Sequence, residues 1–356
     1  MNNEVVVPQK NKRKLKKSVK TVIILFILFV VGASSFAFLL YGPYDKFRNF
    51  LITTAMGTMN HQYLATIFYN DKTIEKVLNQ NYVKESGDST DTSQVVFTDH
   101  SSSNGMFLNK YEKEVLTKEE GNDLYKVINI EEPGLRGYLV VIYDASKVKI
   151  ATSSKLNVTG QMLETIAENN NAKVAMNASG FIDEDWNSNG GRPHGPVIKD
   201  GKLVSNNISL TNSGGIIGFN SENKLVLAKI SAQQALNQGI RDAIEFGPFL
   251  IVNGKSSFMK GNGGWGVAPR SALAQRQDGI VLFLVMDGRD YVNGIPGADL
   301  TDVTEILLRY GAYNAANMDG GTSSGLVVEG KLINKPVNAN GQKQTRAIPV
   351  AWIVTE

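Results

Sequence analysis

The stretch of sequence that decides the fold lies between residues 280 and 327 of this 356-residue chain. It reads IVLFLVMDGRD (280–290), YVNGIPGADL (291–300), TDVTEILLRYG (301–311) and AYNAANMDGGTSSGLV (312–327). The apolar run at 280–286 is typical of a strand buried on both faces. Apolar residues then recur at helical spacing, and we expect this helix to have Thr301 as its N-cap and to stop at Gly311.

A polar turn follows the apolar residues at each end of this stretch. Asp287-Gly-Arg-Asp leaves the strand, and Asp319-Gly-Gly-Thr-Ser-Ser-Gly follows residues 315–318. Glycines let backbone N–H groups approach a ligand closely, while carboxylates and hydroxyls supply polar contacts. Because a single helix links the two turns, we expect them at one edge of a sheet, where they would form an active site. An Asp before Gly is also a common turn former, so the pattern alone leaves a structural role open for both carboxylates.

The rest of the chain from Val127 onward consists of short apolar or alternating runs separated by turn signals. Four pairs of runs predict hairpins, with turns at 199–202, 220–224, 253–255 and 329–331. A further hairpin is expected around residues 144–146. About ten strands with two or three helices predict an α+β fold with mixed, mostly hairpin-linked sheets, rather than a doubly wound parallel sheet.

Three local patterns add detail to this prediction. Residues 159–169 have the spacing of a helix with Thr159 as its cap, and Ser231-Ala-Gln-Gln forms a capping box that opens a short helix. The run at 173–176 predicts a short strand that ends at Asn177.

The N-terminal part of the chain predicts a membrane anchor. Residues 21–40 carry no charge, and a helix of roughly 20 residues suffices to cross a bilayer. Seven basic residues and one acidic residue precede this run, whereas only Lys46 and Arg48 follow it closely. This bias places the N-terminus in the cytoplasm and the remainder outside the cell. A cleaved signal peptide is the alternative, but the apolar run is long for one, which favours an uncleaved anchor.

Composition divides the chain into five expected segments. These are a basic cytoplasmic tail (1–20), a transmembrane helix (21–41), a membrane-proximal helical stalk (42–85), a Ser-, Asp- and Thr-rich linker (86–104) and a catalytic domain (105–356). The whole chain has a net charge of +3, and the basic tail accounts for more than all of it. The remainder is therefore mildly acidic, so nucleic acid is not an expected partner.

Several chemistries are excluded or disfavoured by the residues themselves. The chain has no cysteine and only three widely spaced histidines, so neither a disulfide framework nor a zinc site is expected. No phosphate-binding loop of the Walker type and no serine-hydrolase elbow occurs. We expect no required cofactor. Asp287, Asp290 and Asp319 leave a divalent cation open, although their spacing matches no calcium loop.

Seven motifs, taken in order, resemble the phosphodiester glycosidase family, whose best-known animal member removes N-acetylglucosamine from a phosphodiester. They are Asn177-Ala-Ser-Gly-Phe181, Gly195-Pro-Val-Ile-Lys-Asp-Gly-Lys202, Gly247-Pro-Phe-Leu-Ile-Val-Asn-Gly-Lys255, Arg270-Ser-Ala-Leu-Ala274, Asp287-Gly-Arg289, Asn317-Met-Asp-Gly-Gly321 and Arg346. The resemblance runs from residue 135 to the C-terminus and is stronger still to the bacterial exopolysaccharide-biosynthesis branch. Two positions depart from the family pattern: Thr322 replaces a third glycine, and Ala178-Ser179 replaces Gly-Gly.

The resemblance implies a role for each charged candidate. Asp319 and Asp287 would be the catalytic carboxylates at the anomeric carbon, since glycosidic cleavage ordinarily uses a pair. A phosphate leaves readily without strong protonation, so the substrate requires cationic recognition instead. Arg270, Arg289 and Arg346 are the expected phosphate-binding residues, because guanidinium groups bind phosphate in a bidentate manner. For Arg289, an ion pair with Asp287 is the alternative.

A second set of residues is expected to contact the sugar. Its members lie in the same motifs or next to them, and they are Asn177, Ser179, Phe181, His194, Gly320, Gly321, Thr322 and Ser323. Trp186 and Trp265 are further candidates for stacking on a pyranose ring. Asn177 also suits a turn, and His194 is either an exposed loop residue or a general acid.

Taken with the resemblance, the sequence predicts an extracytoplasmic hydrolase that cleaves the anomeric C–O bond of a sugar-1-phosphodiester. The expected partners are a glycan or sugar-phosphodiester substrate and the membrane, in exopolysaccharide or wall glycopolymer metabolism. Two alternatives stay open: a non-catalytic glycan-binding or assembly factor of the same fold, and a metal-dependent phosphodiesterase that cuts the phosphorus–oxygen bond.

Overall fold

The computed structural model describes residues 17–58, 61–98, 107–182, 188–207, 213–338 and 342–356. The helices among them are α1 (Lys17–Tyr41), α2 (Asp45–Met56), α3 (Tyr63–Thr66), α4 (Asp71–Gln80), α5 (Lys110–Leu116), α6 (Leu163–Asn169), α7 (Ala232–Asn237) and α8 (Leu300–Arg309). The chain divides into two compact units, Met1–Asn49 and Phe50–Glu356.

The strands all belong to the larger unit. They are β1 (Tyr82–Lys84), β2 (Tyr125–Glu132), β3 (Leu135–Ile142), β4 (Val148–Thr152), β5 (Val174–Asn177), β6 (Val197–Lys199), β7 (Lys202–Ser205), β8 (Ser213–Asn220), β9 (Leu225–Ser231), β10 (Ile240–Glu245), β11 (Phe249–Val252), β12 (Lys255–Ser256), β13 (Phe258–Lys260), β14 (Arg270–Arg276), β15 (Val281–Met286), β16 (Ala312–Asn317), β17 (Leu326–Val328), β18 (Lys331–Leu332) and β19 (Val350–Val354).

The smaller unit contains the predicted apolar helix. Residues Ser18–Tyr41 of α1 have a mean hydropathy of 2.8 and are long and apolar enough to cross a membrane. A signal sequence near the N-terminus can meet the same criteria of length and apolar composition, so these properties fit either a membrane span or a signal sequence.

Three sheets form the body of the larger unit. The seven-stranded sheet has the order β12-β11-β16-β14-β15-β3-β2, and the two five-stranded sheets have the orders β18-β17-β5-β19-β4 and β7-β6-β10-β8-β9. Every strand pairing in the described residues is antiparallel. The predicted α+β fold class is confirmed.

A single hydrophobic core joins the three sheets. Phe283 of the seven-stranded sheet, Met176 and Trp352 of the first five-stranded sheet and Phe219 of the second belong to one buried cluster. Helix α8 packs against the opposite face of the seven-stranded sheet, and α6 packs against the outer face of the β5-β19 sheet. All six residues of β15 are buried because this strand lies between the two layers.

The predicted hairpins are confirmed at four turns. Strand β6 pairs with β7, β8 with β9, β11 with β12 and β17 with β18. The expected hairpin at residues 144–146 is wrong, because β3 pairs with β2 and β15 whereas β4 pairs with β19 in another sheet. Asp144 caps a short 3-10 turn by accepting a hydrogen bond from Ser146 N–H at 2.9 Å. The residues of the turn determine its local shape, but the strand with which each neighbouring strand pairs depends on packing between residues far apart in the chain.

Two helix starts also differ from the predictions, whereas the capping box at Ser231 is confirmed. Helix α6 begins at Leu163 rather than after Thr159, whose carbonyl accepts a hydrogen bond from Ser153 Oγ at 2.7 Å in the preceding loop. Helix α8 is capped by Asp299, not by Thr301. The Asp299 side chain accepts from the N–H groups of Thr301 and Asp302, and Asp302 Oδ2 accepts from Asp299 N–H at 2.9 Å.

Residues 82–98, expected as the end of the stalk and most of a linker, are bonded to the sheets. Strand β1 pairs with β13, Thr90 N–H donates to Leu227 O at 2.9 Å, and Val96 N–H donates to Gln277 O at 2.8 Å. These bonds make the segment part of the larger unit rather than a connection between two units. The remainder of the expected linker, residues 99–104, lies outside the described residues.

The unit β15–α8–β16 decides where the polar turns meet. Strand β14 lies between β15 and β16 and is antiparallel to both, so β15 and β16 run in the same direction. The turn after β15, the turn after β16 and the first residue of β14 therefore share one edge of the seven-stranded sheet. The expectation that one helix would bring both turns to the same edge is confirmed.

The reciprocal cap of α8 predicts a difference between two neighbouring substitutions. Asp299→Ala removes an acceptor from two backbone N–H groups and is expected to lower the free energy of unfolding by about 1 kcal/mol. Thr301→Ala should change it by less than about 0.5 kcal/mol, because Thr301 lies inside the first turn and caps nothing. Chemical unfolding of both variants measures the difference, and equal losses would contradict the assignment of the cap.

Candidate active site

The candidate site is built from strand ends of two sheets. In the seven-stranded sheet, Arg270 lies opposite Met286 and Ala272 lies opposite Asn317, so β14 begins where β15 and β16 end. In the facing five-stranded sheet, Ala351 of β19 lies opposite Asn177, the last residue of β5.

Asn177 joins the two sheets at this end. Its Nδ2 donates to Asp319 O at 2.6 Å, while its Oδ1 accepts from Ser271 Oγ at 2.7 Å and from Gly325 N–H at 3.1 Å. The side chain is 1% exposed. Asn177 therefore fixes both ends of the turn 319–325, and its amide oxygen is fully used by protein groups.

Asp319 is the carboxylate around which the predicted residues gather. Its backbone N–H donates to Ala178 O at 3.1 Å, and its Oδ1 accepts from Gly320 N–H at 3.1 Å. Burial raises the pKa of Asp319 to about 6, although a hydrogen bond from Ser323 and the charges of Arg346 and Arg270 lower it. A carboxyl group with this pKa can exist in both protonation states near neutral pH.

Arg270 is almost fully buried, with 4% exposure, and bonds only to carbonyl groups among the described residues. Its Nη2 donates to Trp265 O and to Gly266 O, the latter at 2.7 Å, and its Nε donates to Ala298 O at 3.3 Å. A Cβ added at Gly320 would lie 3.4 Å from Arg270 Nη1. Burial lowers the pKa of Arg270 to about 10, so the group stays charged at neutral pH.

Arg289 contacts the same turn from the residues that follow β15. Its backbone is left-handed, with φ +60°, and its Nη1 donates to Thr322 Oγ1 at 3.0 Å and to Val337 O at 3.2 Å. A Cβ added at Gly321 would lie 3.0 Å from Arg289 Nη2. The ion pair with Asp287, the alternative weighed from the sequence, is not formed.

Arg346 and Phe181 complete the charged side of the site. The guanidinium carbon of Arg346 lies 4.1 Å from the centre of the Phe181 ring, a cation–π contact. The charge of Arg346 also acts on Asp319. The structure therefore brings together Asp319, the glycines that follow it, Thr322 and Ser323, and all three predicted arginines.

Asp287 lies at the same edge but is engaged by other groups. Its side chain is fully buried. Arg136 Nε donates to Oδ2 at 2.8 Å, and Lys335 N–H donates to Oδ1 at 2.7 Å, with Asn334 Nδ2 at 3.4 Å. Arg136 also bonds to Asp290 at 3.0 Å. Both carboxylate oxygens of Asp287 are used by the protein, which is the environment of a group that holds the turn rather than one that meets a substrate.

The other predicted contact residues are more scattered. Ser179 is 1% exposed and its Oγ has no hydrogen-bond partner in the described residues. His194 is exposed, and its N–H donates to Gly180 O at 3.0 Å. Trp265 is 40% exposed and its ring lies 6.1 Å from that of Phe246. Trp186 lies outside the described residues.

Three residues near the site were not predicted from the sequence. Arg136 is the second residue of β3 and belongs to no motif singled out from the sequence, so only its contacts reveal its role. Glu245 and Phe246 lie just before the Gly247-Pro motif, which was the one signal that could have found them. A Cβ added at Gly180 would lie 2.9 Å from Phe246 Cε2. Burial raises the pKa of Glu245, while the charges of His194 and Lys229 lower it.

The site suits an anionic ligand. Arg270 and Arg289 form no ion pair in the described residues, although the charges of Asp299 and Asp319 act on Arg270. Buried guanidinium groups held by neutral acceptors keep donors available for phosphate. No group of three or more His, Asp and Glu side chains in the described ranges is placed to hold a metal ion.

The fold and the charge of the site define a class, an α+β domain with arginines around one carboxylate at its strand ends. The chain belongs to the phosphodiester glycosidase family, whose model matches residues 170–355, just over half of its length. It is 32% identical over 200 residues to the SPbeta prophage-derived uncharacterized protein YomE of Bacillus subtilis (strain 168). That match covers 54% of this chain but only 30% of the relative, so the chain spans about a third of that protein.

The fold is similar to that of a solved member of the family. The catalytic domain of zebrafish N-acetylglucosamine-1-phosphodiester alpha-N-acetylglucosaminidase matches with a TM-score of 0.54 and 19% identity, over 67% of this chain and 86% of that one. At this identity the likeness concerns the fold alone.

The raised pKa of Asp319 predicts a pH-dependent gain in stability for Asp319→Asn. The pKa of about 6 exceeds the ordinary 3.8, so the folded state holds its proton more tightly and the wild type loses stability as pH rises between these values. The variant cannot ionise. The free energy of unfolding of the variant should nearly equal that of the wild type at pH 4 and exceed it by at most about 3 kcal/mol at pH 8. Unfolding measured at both pH values tests this.

Asp123→Asn is the control for a surface carboxylate, because the side chain of Asp123 is 91% exposed and its ion pair with Lys118, at 2.9 Å, lies at the surface. Its difference from the wild type should be small at both pH values, because an exposed ion pair contributes little to stability. An Asp319→Asn difference that is equally flat would show that the carboxyl group of Asp319 is not desolvated.

The contacts of Asp287 predict that it acts mainly on the folded structure. Asp287→Asn leaves Arg136 without its buried partner and should lower the free energy of unfolding by about 3–5 kcal/mol. Asp290→Asn, which removes the more exposed partner of the same arginine, should cost about 1 kcal/mol. Denaturant unfolding compares them. If Asp287→Asn abolished turnover with stability unchanged, a direct catalytic role would be the better account.

Proposed function

We propose that the chain is a hydrolase that cleaves the bond between the anomeric carbon and the phosphate-bearing oxygen of a sugar-1-phosphodiester. The observation that carries this proposal is the position of Asp319, a carboxyl group with a raised pKa, among Arg270, Arg289 and Arg346. Membership of the phosphodiester glycosidase family supports the same reaction class.

The arginines bind the phosphate. Gly320 and Gly321 have no side chains, which lets the guanidinium groups of Arg270 and Arg289 lie close to the backbone of the turn. A phosphodiester placed there would accept hydrogen bonds from the guanidinium groups and from the backbone of the turn. The charge that develops on the departing phosphate oxygen would be stabilised in the same place.

Asp319 acts on the sugar. In its ionised form it acts at the anomeric carbon, either as a nucleophile or as the base that takes a proton from water. The C1–O bond breaks, its electron pair leaves with the phosphate, and water supplies the hydroxyl group of the free sugar. The phosphate is a good leaving group, so the site needs no strong general acid. The reaction as proposed uses no cofactor, and the same chemistry allows transfer to another acceptor.

Asp287 has a different part in this proposal from the one its sequence suggested. With both oxygens bonded to Arg136 and to residues 334–335, it positions the turn that carries Arg289. Asp287 is then a positioning residue, and Asp319 is the carboxylate that touches the substrate.

The sugar contacts are assigned by exposure. Phe181, Thr322 and the exposed His194 can contact a sugar ring or its hydroxyl groups from the chain's surface. Ser323 acts through its hydrogen bond to Asp319. Asn177 and Ser179 are buried and are proposed to shape the site rather than to bind the sugar directly.

We further propose that α1 anchors the protein in the cell membrane, with the basic N-terminus in the cytoplasm and the larger unit outside. The length and hydropathy of α1 and the excess of basic residues before it support this orientation. A membrane-bound enzyme facing outward would meet exopolysaccharide or wall glycopolymer carrying sugar phosphodiesters, and this is the setting we propose.

The reaction predicts where oxygen from water appears. The full chain, incubated with an α-N-acetylglucosamine-1-phosphodiester in oxygen-18 water, should release the free sugar and a phosphate monoester that carries no label, because the C–O bond breaks and the oxygen from water enters the sugar at C1. Mass spectrometry of both products measures this. Asp319→Asn should be folded and slowed by at least about 1,000-fold, as expected for the loss of the reacting carboxylate.

Three outcomes would contradict the proposal. Label in the phosphate, with activity lost on adding a chelator, would indicate a metal-dependent phosphodiesterase. Binding of glycans without turnover would indicate a glycan-binding or assembly factor. An Asp319→Asn variant as active as the wild type would remove Asp319 from the mechanism, and Asp123→Asn serves as the control for a surface carboxylate.

A further inference from the structure

The loop at residues 261–267, here called the glycine-rich loop, connects β13 to the strand that begins with Arg270. Four of its seven residues are glycines with positive φ: Gly261, Gly263, Gly264 and Gly266. Such residues have wide conformational freedom, so a loop of this composition keeps one shape only if other groups hold it. The groups that hold it come from the helical segment expected as a stalk.

Helix α2 holds the loop through two threonines. The hydroxyl of Thr53, a side chain with no exposed surface, accepts a hydrogen bond from Asn262 Nδ2. Thr54 Oγ1 accepts from Val267 N–H at 3.3 Å. A Cβ added at Gly266 would lie only 2.6 Å from Thr54 Cα, so helix and loop are in direct backbone contact.

Asn81, at the end of α4, holds the loop from a second side. Its Oδ1 accepts from Asn262 N–H at 3.2 Å, and its Nδ2 donates to Val77 O at 2.7 Å. Asn262 Oδ1 in turn accepts from Gly264 N–H at 3.1 Å. Asn81 is 4% exposed. The loop is thus tied to two helices through Asn262.

The loop in turn holds Arg270. Two of its carbonyl oxygens, those of Trp265 and Gly266, accept from Arg270 Nη2. These carbonyls set the direction of the guanidinium plane, whose Nη1 lies beside Gly320. A continuous series of contacts therefore runs from the helices through the loop to the turn that carries Asp319.

We propose that the helical segment 50–81 is a positioning element of the active site, in which Thr53, Thr54 and Asn81 fix the glycine-rich loop and thereby orient Arg270 toward the phosphate of the substrate. The proposed role of Arg270 rests on the proposed function. The attachment of the loop to the helices rests on the structure alone. On this view a fragment that begins after residue 85 would lack part of its active site.

A positioning role can be distinguished from general stabilisation of the fold, because the charge of Arg270 lowers the pKa of Asp319. The groups that set the pKa of Asp319 are its own burial, Ser323, Arg346, the Gly320 N–H and Arg270. Of these, Arg270 is the group that the hydrogen bonds of the described residues tie to the glycine-rich loop. Loosening the loop therefore predicts a change at Asp319, across the strand end, that a general loss of stability would not produce.

The experiment compares Thr53→Val and Asn81→Ala with Thr304→Val in the full chain. Thr53→Val keeps the shape of the side chain and removes the acceptor for Asn262. Thr304 is a matched control, a buried helical threonine whose hydroxyl bonds to Leu300 O at 2.7 Å, within its own helix. Hydrogen–deuterium exchange of peptides covering residues 261–269 should be about five-fold faster in the first two variants, the factor expected for one lost hydrogen bond, and unchanged in the third.

The second readout is the pKa of Asp319, obtained in each background from the pH dependence of the stability difference made by Asp319→Asn. It should rise in Thr53→Val and Asn81→Ala, because the positive charge of Arg270 is held less closely, and stay the same in Thr304→Val. The third readout is turnover of the sugar phosphodiester, for which kcat should fall about ten-fold in the loop-loosening variants alone.

The outcomes distinguish this inference from the proposed function. If the wild type does not turn over the phosphodiester, the proposed function fails, and the exchange and pKa measurements still decide the inference. Unchanged exchange in the loop would overturn it. Faster exchange with an unchanged pKa of Asp319 would also overturn it, because the helices would then stabilise the loop without orienting Arg270.

Discussion

The structure depends on one constraint of sheet geometry. A strand that is antiparallel to both of its neighbours begins where they end, and β14 is such a strand between β15 and β16. The constraint brings an arginine at the start of one strand beside two polar turns at the ends of the others. Helix α8 makes the arrangement stable, because it packs across the sheet while returning the chain from β15 to β16.

Charge is distributed unevenly at this edge. Arg136 is neutralised by Asp287 and Asp290, whereas Arg270 and Arg289 are held by carbonyl and hydroxyl oxygens. Neutral acceptors fix the direction of a guanidinium group without cancelling its charge. Burying such charge costs free energy, and a bound anion would offset part of that cost, which supports the proposed phosphate-bearing ligand.

The extent of the larger unit also follows from its contacts. Residues from Phe50 to Thr98 contribute helices, a strand and an extended segment that bond to the sheets. A Ser- and Thr-rich composition is typical of a flexible linker, yet here the same hydroxyl and amide groups satisfy backbone atoms of neighbouring loops. The composition therefore indicated correctly that this segment is polar, but its packing against the sheets depends on contacts that composition does not specify.

The sequence by itself determined the local features: the apolar helix, the buried strand β15, four hairpins, the α+β class, and the polar turns at Asp287 and Asp319. These follow from hydrophobic periodicity and turn chemistry, which act over a few residues. Tertiary structure alone decided that β3 and β4 enter different sheets and that Asp287 pairs with Arg136. It also decided that Arg289 bonds to Thr322. In the same way, it decided that Thr53 supports the loop beside Arg270. Each of these depends on a contact between residues far apart in the chain, and a side chain's charge or polarity does not specify which distant partner packing will bring to it.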